Sequence, residues 1–338
     1  MKRLPVFTIK ILILAAIIAI LFFLSFMVGL YPIPPKTVFD IIRSRFMYVE
    51  PYFDETLVTV VLEVRLPRII MGILVGGALS ISGASYQTLF KNPMVSPDLL
   101  GVSAGAGFGA ALALLNQGSW YMVQLSALLF GILAVVMAYF IGKVFGNNNI
   151  TVLVLAGVVV SSLFQSLLSI VKTRADTDNT LASITFWLMG SLGRVKMADV
   201  LMMLPASGLS LGLLFFFRHK INALCAGEEE AMTMGVNVPL TKLVVVTAST
   251  LITACAVSVC GIVGWVGMVV PHIARMYVGA SYSKLAAASF LIGGILLLLI
   301  DNIIRGIPGI ELPLGVLTSL IGTPLFVVLL AKAKRAWA

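Results

Sequence analysis

Glu228, Glu229 and Glu230 form the only run of three acids in the chain. Three acids in a row ahead of Ala231, Met234 and Gly235 would fill the first turn of a short helix, where negative charge meets the helix dipole, and Gly235 could end it. Flanked by Leu224, Ala226 and Gly227, such a helix could dock on another protein or simply be a solvated loop; its composition allows both. The remaining reactive residues form no catalytic constellation. His219 and His272 lie far apart, and His272, beside Pro271 where a helix would restart, reads as structural because a metal needs several ligands. Cys225, Cys255 and Cys260 follow neither a metal nor a disulfide spacing and read as apolar packing residues. No segment fits G-x-x-x-x-G-K-[ST], so the chain lacks a phosphate loop for ATP. There are no paired carboxylates and no nucleophile motif. Asp98, Asp199 and Asp301 fall near the ends of apolar segments, whereas a proton-coupled carrier keeps an ionisable group near mid-membrane. The sequence therefore predicts no enzyme and no metal site.

The elements that must carry these residues are membrane helices. Of 338 residues 60% are hydrophobic and only 11% charged, with mean hydropathy +1.08, more apolar surface than a soluble core of this length can use. Charge-free stretches cover 11–35, 69–90, 99–142, 144–171, 200–217, 243–274, 285–300 and 312–331. A span needs roughly 20 such residues. The stretch 99–142 should break at Asn116-Gln117-Gly118-Ser119, and 243–274 between Gly261 and Pro271. About ten helices result, some of them short, in one polytopic all-α domain over 1–338. The first is read as an uncleaved helix, since Tyr31-Pro32-Ile33-Pro34-Pro35 offers no small-residue cleavage site.

The net charge of +9 does not imply nucleic acid, because Lys and Arg sit at the ends of apolar runs, at headgroup level among membrane lipid. Lys2, Arg3 and Lys10 precede the first span and Lys332, Lys334 and Arg335 follow the last. Both termini are therefore expected in the cytoplasm, with an even number of spans.

Small residues carry two further patterns. Gly101, Gly105 and Gly109, like Gly72 and Gly76, share a helix face at the spacing of close helix packing. Gly83, Pro93 and Gly101 stand 178 residues before Gly261, Pro271 and Gly279. That register suggests a duplicated helical unit with approximate halves 1–195 and 196–338, as in transporters built from repeats. Ser161, Ser162, Gln165, Ser166 and Ser169 lie on roughly one face of a helix, where they either line water or bond across helices.

An ordered set of motifs runs through nearly the whole chain: Arg65-Leu66-Pro67-Arg68, Ser82-Gly83, Asn92-Pro93, Leu100-Gly101-Val102-Ser103-Ala104-Gly105-Ala106, Leu155-Ala156-Gly157, Trp187-x-x-Gly190, Gly227-Glu228, Gly264-Trp265-Val266-Gly267, Pro271-His272-Ile273-Ala274-Arg275 and Glu311-Leu312-Pro313-Leu314-Gly315-Val316. With these the chain resembles the FecCD-type permease subunits of ABC importers for iron-siderophore complexes, haem and cobalamin. The resemblance implies an inverted-repeat, type II importer fold with ten helices per subunit. It implies a homodimer in the bacterial or archaeal cytoplasmic (inner) membrane, with two cytoplasmic ABC ATPase subunits that bind ATP and Mg, and a periplasmic or lipid-anchored substrate-binding protein. No cofactor is then held by this chain.

It also implies that 224–235 are the coupling helices seated in the ATPase, although Met232 stands where family members commonly carry Arg. Arg65 and Arg305 take the positions that meet acids of the binding protein; Arg68 is either a helper or a headgroup anchor. The fifth and tenth helices would line the pathway, with Asn147-Asn148-Asn149-Ile150-Thr151 as the cytoplasmic gate. The expected cargo is an iron chelate, a siderophore or haem, with cobalamin or an oxyanion such as molybdate as alternatives, and an ATP-independent carrier or channel as the alternative of another class.

Overall fold

The structure is a computed structural model that describes residues 5–45, 47–48, 52–146, 150–307, 309 and 312–337. Glu311 and the gate residues Asn147, Asn148 and Asn149 lie outside the described residues. Among those described there are helices and no strands. This is what lipid demands, since a helix satisfies its own backbone N–H and C=O groups where no water can.

Six helices are long and apolar enough to cross a membrane: α1 (Val6–Ser25), α6 (Trp120–Gly146), α7 (Ile150–Arg174), α9 (Met197–Phe216), α12 (Val238–Cys260) and α14 (Tyr282–Gly306). Two short helices, α2 (Pro35–Arg43) and α3 (Glu55–Thr59), follow α1, and a π-helical turn, Val60–Arg65, leads into α4 (Leu66–Leu89). The other apolar helices are α5 (Val102–Leu115), α8 (Thr180–Met189), α13 (Val266–Val278) and α15 (Leu314–Trp337). The 14 residues of α5 reach only about 21 Å, short of a hydrocarbon core of about 30 Å. All ten apolar stretches became helices, and α8 adds an eleventh within a run too short to count as a span.

The centre of the molecule is α4, packed against α14, α12 and α13. Most of α12 is buried, while α1 buries almost nothing but Leu14 and Ser25 and presents its apolar side chains outward. Close approach is built from glycine: a Cβ on Gly83 would stand 1.7 Å from the Gly267 carbonyl oxygen, and one on Gly105 2.3 Å from that of Phe130. Gly105, Gly109 and Gly76 therefore have the expected packing role, whereas Gly72 makes only ordinary contacts. Gly101 does not continue the stripe. It precedes α5 with φ +86, a conformation that favours glycine.

The 178-residue register fails as a structural correspondence. Gly83 lies inside α4 but Gly261 follows the end of α12 with φ +74; Pro93 is in a loop but Pro271 is inside α13; Gly101 precedes a helix and Gly279 follows one. The paired residues therefore occupy different local structures, and the register does not align helix with helix. The break of 243–274 is likewise narrower than expected, spanning 261–265, so Pro271 and His272 sit within α13 rather than at a restart. The predicted break at 116–119 separates α5 from α6 as expected.

The three chain breaks in the middle of the molecule are stitched to one another. The Ser191 amide donates to the Cys260 carbonyl at 2.8 Å, and the Leu314 amide to that of Gly190 at 2.9 Å. These bonds satisfy amide and carbonyl groups that no helix pairs there.

Candidate functional site

Two polar regions lie at opposite ends of α12. Its first residue, Val238, follows the acidic loop, and its last, Cys260, lines a recess with Arg194 that adjoins a group of further arginines. Its 23 residues separate the two by about 35 Å.

At the acidic end, α10 (Arg218–Leu224) and α11 (Glu228–Thr233) make a helical knob. Glu228, Glu229 and Glu230 occupy the first turn of α11, as their sequence predicts, and Gly235 (φ +77) closes it while the Val236 amide donates to the Ala231 carbonyl at 3.0 Å. Ile221, Leu224 and Ala231 are buried and fasten the knob to the body, helped by a 2.9 Å bond from the Tyr282 amide to Asn222 Oδ1. Leu224 and Ala231 thus anchor the loop, while Ala226, the three glutamates, Met232, Met234 and Gly235 form its outer surface. Met232 is 56% exposed and Met234 66%. Two adjacent exposed methionines on a polar loop suit a protein interface, where the flexible thioether adapts to a partner. The only ion pair described on the knob joins Lys242 Nζ to Glu228 Oε2 at 2.7 Å. Cys225 is exposed at the end of α10, unlike the buried Cys255 and Cys260, so the packing role expected of all three holds for two.

At the other end, the first turn of α4 faces the last turns of α14. Asp301, 1% exposed, is the hub. Arg68 Nε donates to its Oδ1 at 2.9 Å and Arg68 Nη2 lies 2.8 Å from the same oxygen. Arg305 Nε stands 3.0 Å from Oδ2, a close ion pair without hydrogen-bond alignment. Arg305 Nη1 also donates to the Ser25 carbonyl at 2.9 Å, and Nη2 to Asn302 Oδ1. Arg65, 5% exposed, donates to the carbonyls of Phe26 and Tyr31. The arginines therefore tie the segment after α1 to α4 and α14, and Arg65 and Arg305 lie buried in these bonds rather than projecting outward. A cavity of about 810 Å³ opens above them.

The sequence marked Asp301 only as an acid near the end of an apolar segment and not as a partner of the arginines, although its i,i+4 spacing to Arg305 is a signal for an ion pair. Nothing in the sequence brings Arg68 to a residue 233 positions away. The other two acids also have structural partners: Asp98 accepts from the Ser103 amide at 2.7 Å, and Asp199 from Gln124 Nε2 at 2.9 Å. His272 Nε2 lies 2.9 Å from the Pro93 carbonyl oxygen, the structural role expected. No group of His, Cys, Asp and Glu among the described residues could hold a metal.

The gate region is described only from Ile150, the first residue of α7, and the exposed Thr151 onward. Along α7, Ser162, Gln165, Ser166 and Ser169 are exposed and Ser161 is half-buried against Gly101, while Phe164 turns into the core. The hydroxyls of Ser162, Ser166 and Ser169 donate to carbonyls four residues back in α7, each at 2.9 Å. The stripe thus faces away from its own subunit.

The chain resembles known transport permeases over most of its length. The sequence pattern of the FecCD transport family matches residues 17–332. The permease protein MolB of the molybdate import system of Haemophilus influenzae is 35% identical over 92% of both chains. A probable iron chelatin transport system permease of Helicobacter pylori is 37% identical over 87% of this chain and 88% of its own. Among solved structures, an inward-facing metal-chelate type ABC transporter superposes with a TM-score of 0.84 at 34% identity, covering 95% of this chain and 98% of that one. The chain is a multi-pass membrane permease of the FecCD transport family.

Proposed function

We propose that this permease works as two copies in a cytoplasmic membrane, with both termini inside, and imports a metal chelate delivered by a binding protein on the arginine side. Two ATPase subunits grip the knob of α10 and α11, and ATP and its magnesium are held by those subunits rather than by this chain. The observation that carries the reading is an exposed methionine-bearing knob before the start of the buried helix α12 and, at the end of that helix, a recess lined by Arg194 that adjoins the arginine cavity.

The exposed serine stripe of α7 supports a role for that helix along the pathway or against the second copy. An iron chelate is the cargo favoured here, and the iron chelatin permease of H. pylori supports it. Molybdate is the second reading, favoured by the similarity to MolB over 92% of the chain. The test is ATP-driven uptake into proteoliposomes containing the permease, its ATPase and its binding protein, comparing a labelled ferric chelate, molybdate and cobalamin. Uptake without the ATPase would make the chain an independent carrier and overturn the proposal.

A further inference from the structure

Two cavities meet at the arginine end. The larger, about 810 Å³, covers Asp301 and its arginines. The smaller, about 260 Å³, lies between the start of α6, α8 and the end of α12. Ser191, Arg194 and Leu312 border both.

The charges along these walls do not balance. Among the described lining residues, Arg65, Arg68, Arg194 and Arg305 are set against one carboxylate, Asp301, a formal charge of +3. Among the described residues Arg65 is met by backbone carbonyls, and Arg68 and Arg305 share Asp301. Arg194 is exposed, has no ion pair among the described residues, and stands 5.7 Å from the centre of the Trp120 ring. Next to it, the indole N–H groups of Trp120 and Trp187 are buried and neither has a hydrogen-bond partner. Buried donors nearly always find partners, and an indole N–H can only donate. Among the described residues no carboxylate lines the smaller recess, whose walls include Leu114, Phe186 and Pro313. Apolar walls strengthen any charge interaction made between them.

A cation would be repelled here, and a ligand without acceptor oxygens would leave both indoles unmet. We propose that the recess framed by Trp120, Trp187 and Arg194 is a subsite for a small, multiply charged oxyanion or for one carboxylate arm of a larger chelate. Arg194 supplies the charge and the two indoles donate when the ligand enters between them. The volume suits an oxyanion or an arm, with the body of a chelate left in the larger cavity. The proposal rests on the importer reading only for the identity of this ligand as cargo.

The assembled complex in lipid nanodiscs is titrated with sodium citrate and with sodium molybdate at constant ionic strength, read by calorimetry and by tryptophan fluorescence. Saturable binding of at least one anion is expected. Arg194→Gln should weaken it about tenfold or more, as loss of a charge-assisted hydrogen bond does. Arg194→Lys should retain part of the affinity, and Trp120→Phe and Trp187→Phe should each reduce it. Arg194 is exposed, so its replacement does not threaten folding, and an unchanged elution profile checks this. Absence of saturable binding, or equal affinity in Arg194→Gln, overturns the proposal. So does a result in which neither anion binds but Arg194→Gln loosens the binding protein, because the recess would then take a protein carboxylate. Uptake is measured separately: failure of ATP-driven transport in the parent would sink the importer reading while the titration still decides the subsite.

Discussion

The two ends of this permease use charge in opposite ways. At the arginine end the ionic groups are buried, shared and concave: Asp301 serves two guanidinium groups beneath a cavity. At the knob the charges are exposed and nearly independent, with one described ion pair and two methionines facing outward. A buried ionic hub holds helices in register because removing one member leaves the others unpaired in a medium that cannot solvate them. An exposed acidic turn does little for the fold and is free to meet a partner. Charge at one end is chiefly architecture; at the other it is surface.

Substitutions can break or sharpen that contrast. The largest effect is expected from Asp301→Ala, which strands Arg68 and Arg305 and should cost about 3–5 kcal/mol of stability. Thermal unfolding in detergent checks this, and Asp301→Asn, which keeps the shape and some hydrogen bonds, should cost less. An unaltered melting temperature in Asp301→Ala would erase the distinction between the ends.

Next comes charge reversal at Arg65 or Arg305. If the binding protein engages this end, Arg65→Glu and Arg305→Glu should each weaken its affinity by about 2–5 kcal/mol and flatten its salt dependence. Basal ATPase activity of folded complex should persist. Because both side chains are bonded internally, part of the loss should appear as lowered stability, and a melting curve separates the two. Unchanged affinity and salt slope would confine these arginines to architecture.

At the knob the pattern should invert. Met232→Ser with Met234→Ser should leave the melting temperature within error yet weaken the ATPase complex, by up to about 1.5–3 kcal/mol for each side chain that the interface buries fully. Co-purification and coupled hydrolysis are the measurements, and a stability loss without an assembly defect would contradict the assignment. Replacing Glu228, Glu229 and Glu230 with Lys removes favourable dipole contacts of about 0.3–1 kcal/mol each and should act more on coupling than on folding. The smallest effect is expected from Lys242→Gln, since an exposed pair with Glu228 contributes about 0–1 kcal/mol.

Much of this architecture was legible in the residues. Asn116 to Ser119 interrupts an apolar run with groups that prefer water, and the chain turns there. The acids at 228–230 and the glycine at 235 prescribe a short capped helix through local electrostatics and backbone freedom, and it forms within that span. These signals act within a few residues of themselves. Helix α8 escaped because its ten residues are too few to register as a span, and their burial depends on contacts with α5 and α15.

By itself, then, the sequence determined that the chain enters a membrane, roughly where its apolar helices lie, and which family it joins. Hydropathy, capping and motif order are properties of neighbouring residues. Only the tertiary structure decided which charges answer each other. Arg68 and Asp301 are 233 residues apart and become partners because α4 and α14 pack closely enough, glycine against glycine at Gly76 and Gly293, to bring their ends together. The same packing places Arg194, Trp120 and Trp187 around one recess. Pairing across a fold depends on distance in space, and no local property of the chain encodes it.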